Sequence, residues 1–439
     1  MTSVMGAVRR NAELGLMLLA AMLTIGAYVL ASLGRTSSLP ANAGPFLGVV
    51  LGLLVFAHVA TRRLAPNADG VLLPIAALLN GLGYVFIARL DHTLAGLQAL
   101  WTGLGVAAYV GTLFVVRRTR DLERYRYTFA LIGIGLLFMP LLPVIGRNIN
   151  GARLWVRLGG ISFQPGEFAK VTLCIFLASY LVEKRELLSM GTHRIGPAIV
   201  PDLKHFGPIV LAWGSSLVVL TAERDVGSSL LFFALFITML WVATARGAYL
   251  VLGAGMFAVG SFAAMQAFAH VHDRVRIWLN PWPLANGKGF QTVQALFALA
   301  AGGIFGTGLA LGSPQRIPEV ATDFIFAAVG EELGLLGTCA IIVAFLLIVG
   351  SGLRIALRAE SPFEKLLATG LTTIIGVQAF VIIGGVTRLV PLTGITLPFV
   401  SYGGSSLLAN YVLLALLLRV SDSEARRETI AAGEAAAAA

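Results

Sequence analysis

Twelve runs of about 20 apolar residues recur along the chain, and a run of that length carries a helix across a hydrocarbon core. They bracket residues 15–34, 44–60, 71–88, 97–116, 127–145, 164–183, 206–222, 226–244, 247–268, 323–350, 365–387 and 396–418. The runs are continuous blocks rather than short alternating segments. They therefore read as helices, which satisfy their own backbone groups in lipid, and not as strands of a barrel. Charged residues make up 12% of the chain, against about 25% in a soluble domain. That excludes an ordinary soluble globule. The prediction is an all-α polytopic membrane protein with about 10–12 transmembrane helices. The first run has no small-residue cleavage site just after it, and it reads as a retained helix rather than a removed signal peptide.

Charge sets the expected topology. Most of the 32 Lys and Arg fall in alternate connecting segments, including Arg117, Arg118, Arg120, Arg124 and Arg126, if both termini lie inside. The positive-inside rule then predicts an N-in, C-in chain whose longest connection, 269–322, is a large extracytoplasmic loop. The chain divides into N-terminal spans (1–126), central spans (127–268), that loop, C-terminal spans (323–420) and a cytoplasmic tail (421–439). The net charge of +10 flanks apolar runs, so it reads as a topology signal and not as a nucleic-acid surface. Cys174 and Cys339 both fall inside runs, and no disulfide framework is implied.

Ionisable groups near or inside spans are the places to look for function, because a charge at bilayer depth is expensive. In GISFQPGEFAK, Glu167 and Lys170 stand three apart at the start of a run and share a helix face, with Pro165 suited to the first turn. They form either a mutual ion pair or a cavity where Lys170 meets a phosphate. In TAERDVGSSL a tight outward turn carries Glu223, Arg224 and Asp225, either solvated or functional. In PEVATDFIFAAVGEELGLLG, Asp323 heads a helix, and Glu331 with Glu332 lies about 12 Å further along it. Each of those acids is a structural hydrogen-bonding group or a substrate contact. TLPFVSYGGSSLLANY interrupts a span with Pro, Gly and Ser, which predicts a kink and close helix approach.

Taken together, NGARLWVRLGGISFQPGEFAK, ERDVGSSL, IPEVATDFIFAAVGEELG and PLTGITLPFVSYGGSSLL resemble the SEDS family, the RodA, FtsW and SpoVE proteins of bacterial cell-wall synthesis, and the RodA branch more than the FtsW branch. The resemblance covers roughly residues 127–418. It implies a multi-pass protein of the bacterial cytoplasmic membrane, a peptidoglycan glycosyltransferase that polymerises lipid II beside a class B penicillin-binding protein, and no nucleic-acid partner. The family core has ten spans, so twelve here implies two extra N-terminal ones. Carried onto this chain, the resemblance reaches Gln164, Glu167, Lys170, Asp225, Thr322 and Asp323. An Arg expected just before Trp155 is replaced by Leu154, with Arg153 one place earlier.

Such a transfer has a sugar hydroxyl attack an anomeric carbon while a polyprenyl pyrophosphate departs, and cations stabilise the leaving charge. The candidate cations are Lys170, Arg274, Arg276, Lys288, Arg316 and Arg388. A divalent cation such as Mg is the candidate cofactor, and the sequence names no ligand set for it. The resemblance also exposes a departure. In the loop NPWPLANGKGFQ, Gly287, Gly289, Phe290 and Gln291 align with a family pattern whose preceding catalytic Asp falls on Leu284. Leucine accepts no proton. Between Asp273 and Glu319 there are 45 consecutive residues without an acid, and the substitute general bases are Asp323 and Asp273. A precursor flippase, or a noncatalytic scaffold for a penicillin-binding protein, is the alternative reading.

Overall fold

The computed structural model describes residues 2–36, 43–143, 145–149, 152–158, 161–189, 193–195, 198–200, 214, 223 and 225–438. Eleven of the twelve apolar runs coincide with helices, and the run at 206–222, residue 214 apart, lies outside the described residues. In chain order the helices are α1 (Thr2–Thr36), α2 (Ala43–Leu64), α3 (Leu72–Leu90), α4 (His92–Val115), α5 (Thr119–Arg124), α6 (Arg126–Phe138) and α7 (Pro165–Ser189). They continue as α8 (Val226–Thr244), α9 (Ala248–Ala267), α10 (Ala269–Leu279), α11 (Phe290–Gly302), α12 (Ile325–Arg358), α13 (Pro362–Val386) and α14 (Gly404–Ala438). Among the described residues, nine helices are long and apolar enough to cross a membrane. The chain is a multi-pass, mostly helical membrane protein.

Three segments depart from the span-and-loop picture. Residues 146–163 form a three-stranded antiparallel sheet, β1 (Gly146–Ile149), β2 (Ala152–Leu158) and β3 (Ile161–Phe163), with Arg147 opposite Trp155 and Val156 opposite Phe163. The alternation of ARLWVRL suits a strand with one buried face, and Val156 is fully buried while Arg153 and Arg157 are exposed. The segment 269–322 is not simply a loop, because it holds α10 and the short apolar helix α11. The final span starts at Gly404 rather than 396, because TLPFVSY is irregular and Phe399 has a positive φ of 64°.

The chain forms two compact units, unit 1 (Met1–Arg118, Ile277–Ile355, Gln378–Ala439) and unit 2 (Thr119–Arg276, Ala356–Val377). In unit 1, α14 packs along α4 because small residues let the backbones approach. Gly404 lies against the Trp101 ring and Gly105 against Tyr411, where an added Cβ has no room. The far end of that contact is locked by Arg419, whose guanidinium donates to the Leu64 carbonyl at 2.8 Å and to the Leu113 carbonyl. Asp422 accepts the Asn67 N–H at 2.7 Å. In unit 2, Leu137 of α6, Ala169 and Leu173 of α7 and Phe232 of α8 form a buried apolar cluster. That cluster fixes the starts of α7 and α8, which carry the ionisable groups.

Candidate functional site

Unit 2 concentrates charge where α7 and α8 begin. Gln164 immediately precedes α7, and its carbonyl accepts the Glu167 N–H at 3.3 Å. One turn on, Lys170 donates from Nζ to Glu167 Oε2 at 2.6 Å, and the side chains are 2% and 8% exposed. The predicted shared helix face is therefore real, and the ion pair exists. Asp225 caps α8, accepting the Ser228 N–H at 3.0 Å and its hydroxyl at 2.5 Å. Burial pushes the Asp225 carboxyl up, the Ser228 hydrogen bonds and the charge of Arg274 pull it back, and Glu167 pushes it up again. Those influences place Glu167, Asp225 and Arg274 in one electrostatic neighbourhood. Glu223, two residues before the cap, is 3% exposed. Burial, followed by the charge of Asp225, raises its carboxyl from the usual 4.5 to about 9. Of the turn Glu223, Arg224 and Asp225, sequence reasoning carried only Asp225 forward as a substrate contact.

The remaining unit 2 candidates lie on α10. Asp273 and Arg274 are half-buried, and Arg276 is exposed. His270 and His272 share that helix, and no group of three or more His, Cys, Asp or Glu among the described residues is placed to hold a metal.

In unit 1 the acid-poor loop is a compact turn. Residues Trp282–Leu284 make one 3-10 turn, and the Leu284 carbonyl accepts the N–H groups of both Gly287 and Gly289 at 3.0 Å. Leu284 itself is half-buried and Lys288 is exposed. Backbone bonds shape this turn, so an apolar side chain at 284 leaves its conformation intact. Arg388 is tied to the end of α10. Its Nη2 donates to the Trp278 and Leu279 carbonyls at 2.8 and 3.0 Å, and Trp278 Nε1 donates back to the Arg388 carbonyl at 3.0 Å. Those carbonyls are the open end of a helix, where a guanidinium is a favourable cap.

The turn before α12 is held from the SYGG segment. Ser401 donates its hydroxyl to the Thr322 carbonyl at 2.5 Å and accepts the Leu397 N–H at 3.0 Å, while the Tyr402 N–H donates to Ala321 at 2.8 Å. Asp323 sits half-buried in that turn, just ahead of the helix. The interruption at 396–403 thus does more than kink a span, because it grips the turn that presents Thr322 and Asp323.

Further along α12, Glu331 and Glu332 hydrogen-bond to the preceding arm. The helix breaks at Gly334, with φ 65° and ψ −162°, a region open essentially to glycine. In an unbroken helix, Leu335 and Leu336 would donate to the Glu331 and Glu332 carbonyls. Here they donate to Gly303 and Ile304 at 2.9 and 3.2 Å, and Thr307 and Gly308 donate to Glu331 and Glu332 at 2.9 and 3.0 Å. Two lost helical bonds become four bonds to the arm 303–308. The close approach needs Gly302 against the Gly330 carbonyl, where no Cβ fits. The acidic side chains extend the splice: Glu331 Oε1 accepts the Ser313 N–H at 2.7 Å, and Glu332 Oε2 accepts the Ala310 N–H at 2.9 Å. Arg316 follows on that arm and is exposed. The sequence reading missed Arg89, whose Nε lies 2.6 Å from Glu332 Oε1.

A family model for a cell cycle protein, comprising FtsW, RodA and SpoVE, matches residues 72–426. The chain belongs to the FtsW, RodA and SpoVE family. It is 44% identical over 430 residues to the peptidoglycan glycosyltransferase RodA of Mycobacterium tuberculosis, covering 95% of this chain and 92% of that one. The RodA of Mycobacterium leprae is 44% identical over 94% of this chain and 91% of its own. The stage V sporulation protein E of Bacillus subtilis is 34% identical over 83% of this chain and 99% of its own. Among solved structures, a peptidoglycan synthase complex that coordinates polymerization and crosslinking contains a chain with a TM-score of 0.66 at 26% identity, covering 81% of this chain and 98% of that one. The RodA of Thermus thermophilus matches with a TM-score of 0.57 at 26% identity, covering 81% and 96%. Helices α1 and α2 precede the segment matched by the family model.

Proposed function

We propose that the chain is a peptidoglycan glycosyltransferase that polymerises lipid II, the undecaprenyl-pyrophosphate-linked disaccharide peptide, at the outer face of the bacterial cytoplasmic membrane. The observation that carries this reading is the group of buried Glu167, Lys170 and Asp225 with half-buried Arg274 in a chain 44% identical to a RodA glycosyltransferase over nearly its whole length. Two cations held near the starts of helices suit a diphosphate, since helix N-termini themselves favour anions.

In the reaction, an acceptor sugar hydroxyl attacks the anomeric carbon of the donor. The new glycosidic C–O bond forms as the bond from that carbon to the pyrophosphate oxygen breaks, and the bonding pair leaves with the polyprenyl pyrophosphate. Lys170 and Arg274 neutralise charge on that leaving group. The hydroxyl proton passes to a carboxylate. With Leu284 in the loop, Asp273, the acid beside Arg274 on α10, and Asp323, in the turn gripped by Ser401, take the base role between them as alternatives. General-base assistance of this kind contributes about 10² to 10⁴ in rate.

A class B penicillin-binding protein is the proposed partner, supported by the likeness to a synthase complex that couples polymerization to crosslinking. Leu284 specifically favours a second reading, a scaffold without its own chemistry. Labelled lipid II supplied to the reconstituted full chain with its partner separates them. Long glycan strands are the expected product. Lipid II that crosses the liposome without polymer supports a flippase, and neither outcome with retained partner binding supports the scaffold.

A further inference from the structure

Arg89 is the last-turn arginine of α3 in the stretch FIARLDH, and only 9% of its side chain is exposed. Its guanidinium meets three groups at once: Nη2 donates to the Gly312 carbonyl at 2.7 Å, Nη1 donates to Gln315 Oε1 at 2.8 Å, and Nε faces Glu332 Oε1 at 2.6 Å. Glu332, itself 1% exposed, holds the Ala310 N–H with its other oxygen. Arg89 therefore bridges α3, the broken start of α12, and the arm 303–316 that runs between α11 and the Pro314–Arg316 turn.

We propose that Arg89 is a positioning residue for glycosyl transfer. It clamps the arm onto the Gly334 break so that Arg316, and the Thr322–Asp323 turn that follows it, keep a single placement. The planar fork is the reason arginine serves here. A lysine offers one ammonium and cannot reach a carboxylate, a carbonyl and an amide oxygen in fixed directions. The arm needs such a clamp because it carries unfavourable backbone of its own, with a positive φ of 63° at Ala310, a conformation held only where surrounding contacts over-determine it. Its backbone bonds to α12 end at Gly308, and from Ala310 to Gln315 the fixing groups are side chains: Glu332, Glu331 and Arg89.

This inference rests on the transferase reading, and the test keeps the two apart. Arg89→Gln/Glu332→Gln removes the ion pair without leaving one charge buried alone, which Arg89→Ala would do. The full chain is reconstituted and assayed with labelled lipid II, and its backbone amides are followed by hydrogen exchange. In the double variant, kcat falls about 10²-fold while KM for lipid II stays within about threefold, because misplacement of reacting groups by an ångström costs that much. The Ala310 and Ser313 amides exchange about tenfold faster, with the thermal midpoint near that of the parent. Arg89→Lys regains less than about a tenth of the lost turnover. The proposal is overturned by parental kcat in the double variant, by unchanged protection of the two amides, or by lost activity that tracks a lowered thermal midpoint. A parent chain without polymerisation overturns the transferase reading instead, and amide exchange alone then decides whether Arg89 clamps the arm.

Discussion

In unit 2 the buried charges of Glu167, Lys170 and Asp225 and the half-buried Arg274 act on one another. In unit 1 the charges of Arg89, Glu331, Glu332 and the half-buried Arg388 are directed largely at backbone N–H and carbonyl groups. Burial is similar in the two regions, so burial alone does not separate a reacting site from a scaffold. The kind of partner does. A carboxylate that accepts a loop N–H fixes a fold, whereas a group of side-chain charges held near helix starts can exchange its internal pairing for a substrate's diphosphate.

The comparison is most directly challenged at Lys170. Lys170→Met combined with Glu167→Gln keeps the site neutral and folded, and polymerisation of lipid II falls by about 10²-fold or more, the scale of one lost charge-stabilising group. Parental turnover would return Lys170 to the status of a structural ion pair. Next in size is Gly334→Ala. A side chain at φ 65° is strained by about 1–3 kcal/mol, and its Cβ meets the arm at Gly306 and Ile304. Expected are a lower thermal midpoint and weaker protection of the Thr307 and Gly308 amides, read together by calorimetry and hydrogen exchange.

Leu284→Asp sharpens the contrast from the other side. The turn is held by the Leu284 carbonyl, so the variant folds like the parent, and an added base raises turnover by about tenfold. Unchanged turnover assigns the proton to Asp273 or Asp323. Arg388→Ala removes a helix cap and costs about 1 kcal/mol of stability, with KM for lipid II unmoved. A tenfold rise in KM would instead place Arg388 against the substrate.

Another effect, read through pH, concerns Glu223. Its folded carboxyl titrates near about 9 rather than 4.5, so the folded chain holds a proton that the unfolded chain releases. That contribution to stability is fully present below about 4.5 and is lost as pH rises to about 9. Glu223→Gln removes this dependence. The thermal midpoint of the parent falls relative to the variant across that window, and parallel curves would show that Glu223 is ionised at neutral pH.

Spans were legible because lipid imposes a length and a composition that a single chain displays directly, and the pair Glu167 and Lys170 followed from helical spacing. Asp225 as a cap was equally local. What escaped detection is non-local. Nothing in GEELGLLG announces that its helix breaks at Gly334, because a glycine inside an apolar helix is common in membranes. The exchange of hydrogen bonds with GGIFGTG, nearly 30 residues upstream in sequence, belongs to no periodicity. Arg89 read as one more charge at the end of a span. Its role shows only when Gly312, Gln315 and Glu332 are seen around it. The strand pairing of 146–163 was available in the alternation of ARLWVRL, but the helical weight of the rest of the chain concealed it.

The break at Gly334 also orders events during synthesis. Residues 303–308 leave the ribosome before their partners at 331–336, so their polar backbone must wait in contact with water while the start of α12 is still being made. The arm can close only after that helix has arrived, which makes 303–336 a single late-folding unit whose amides gain protection together.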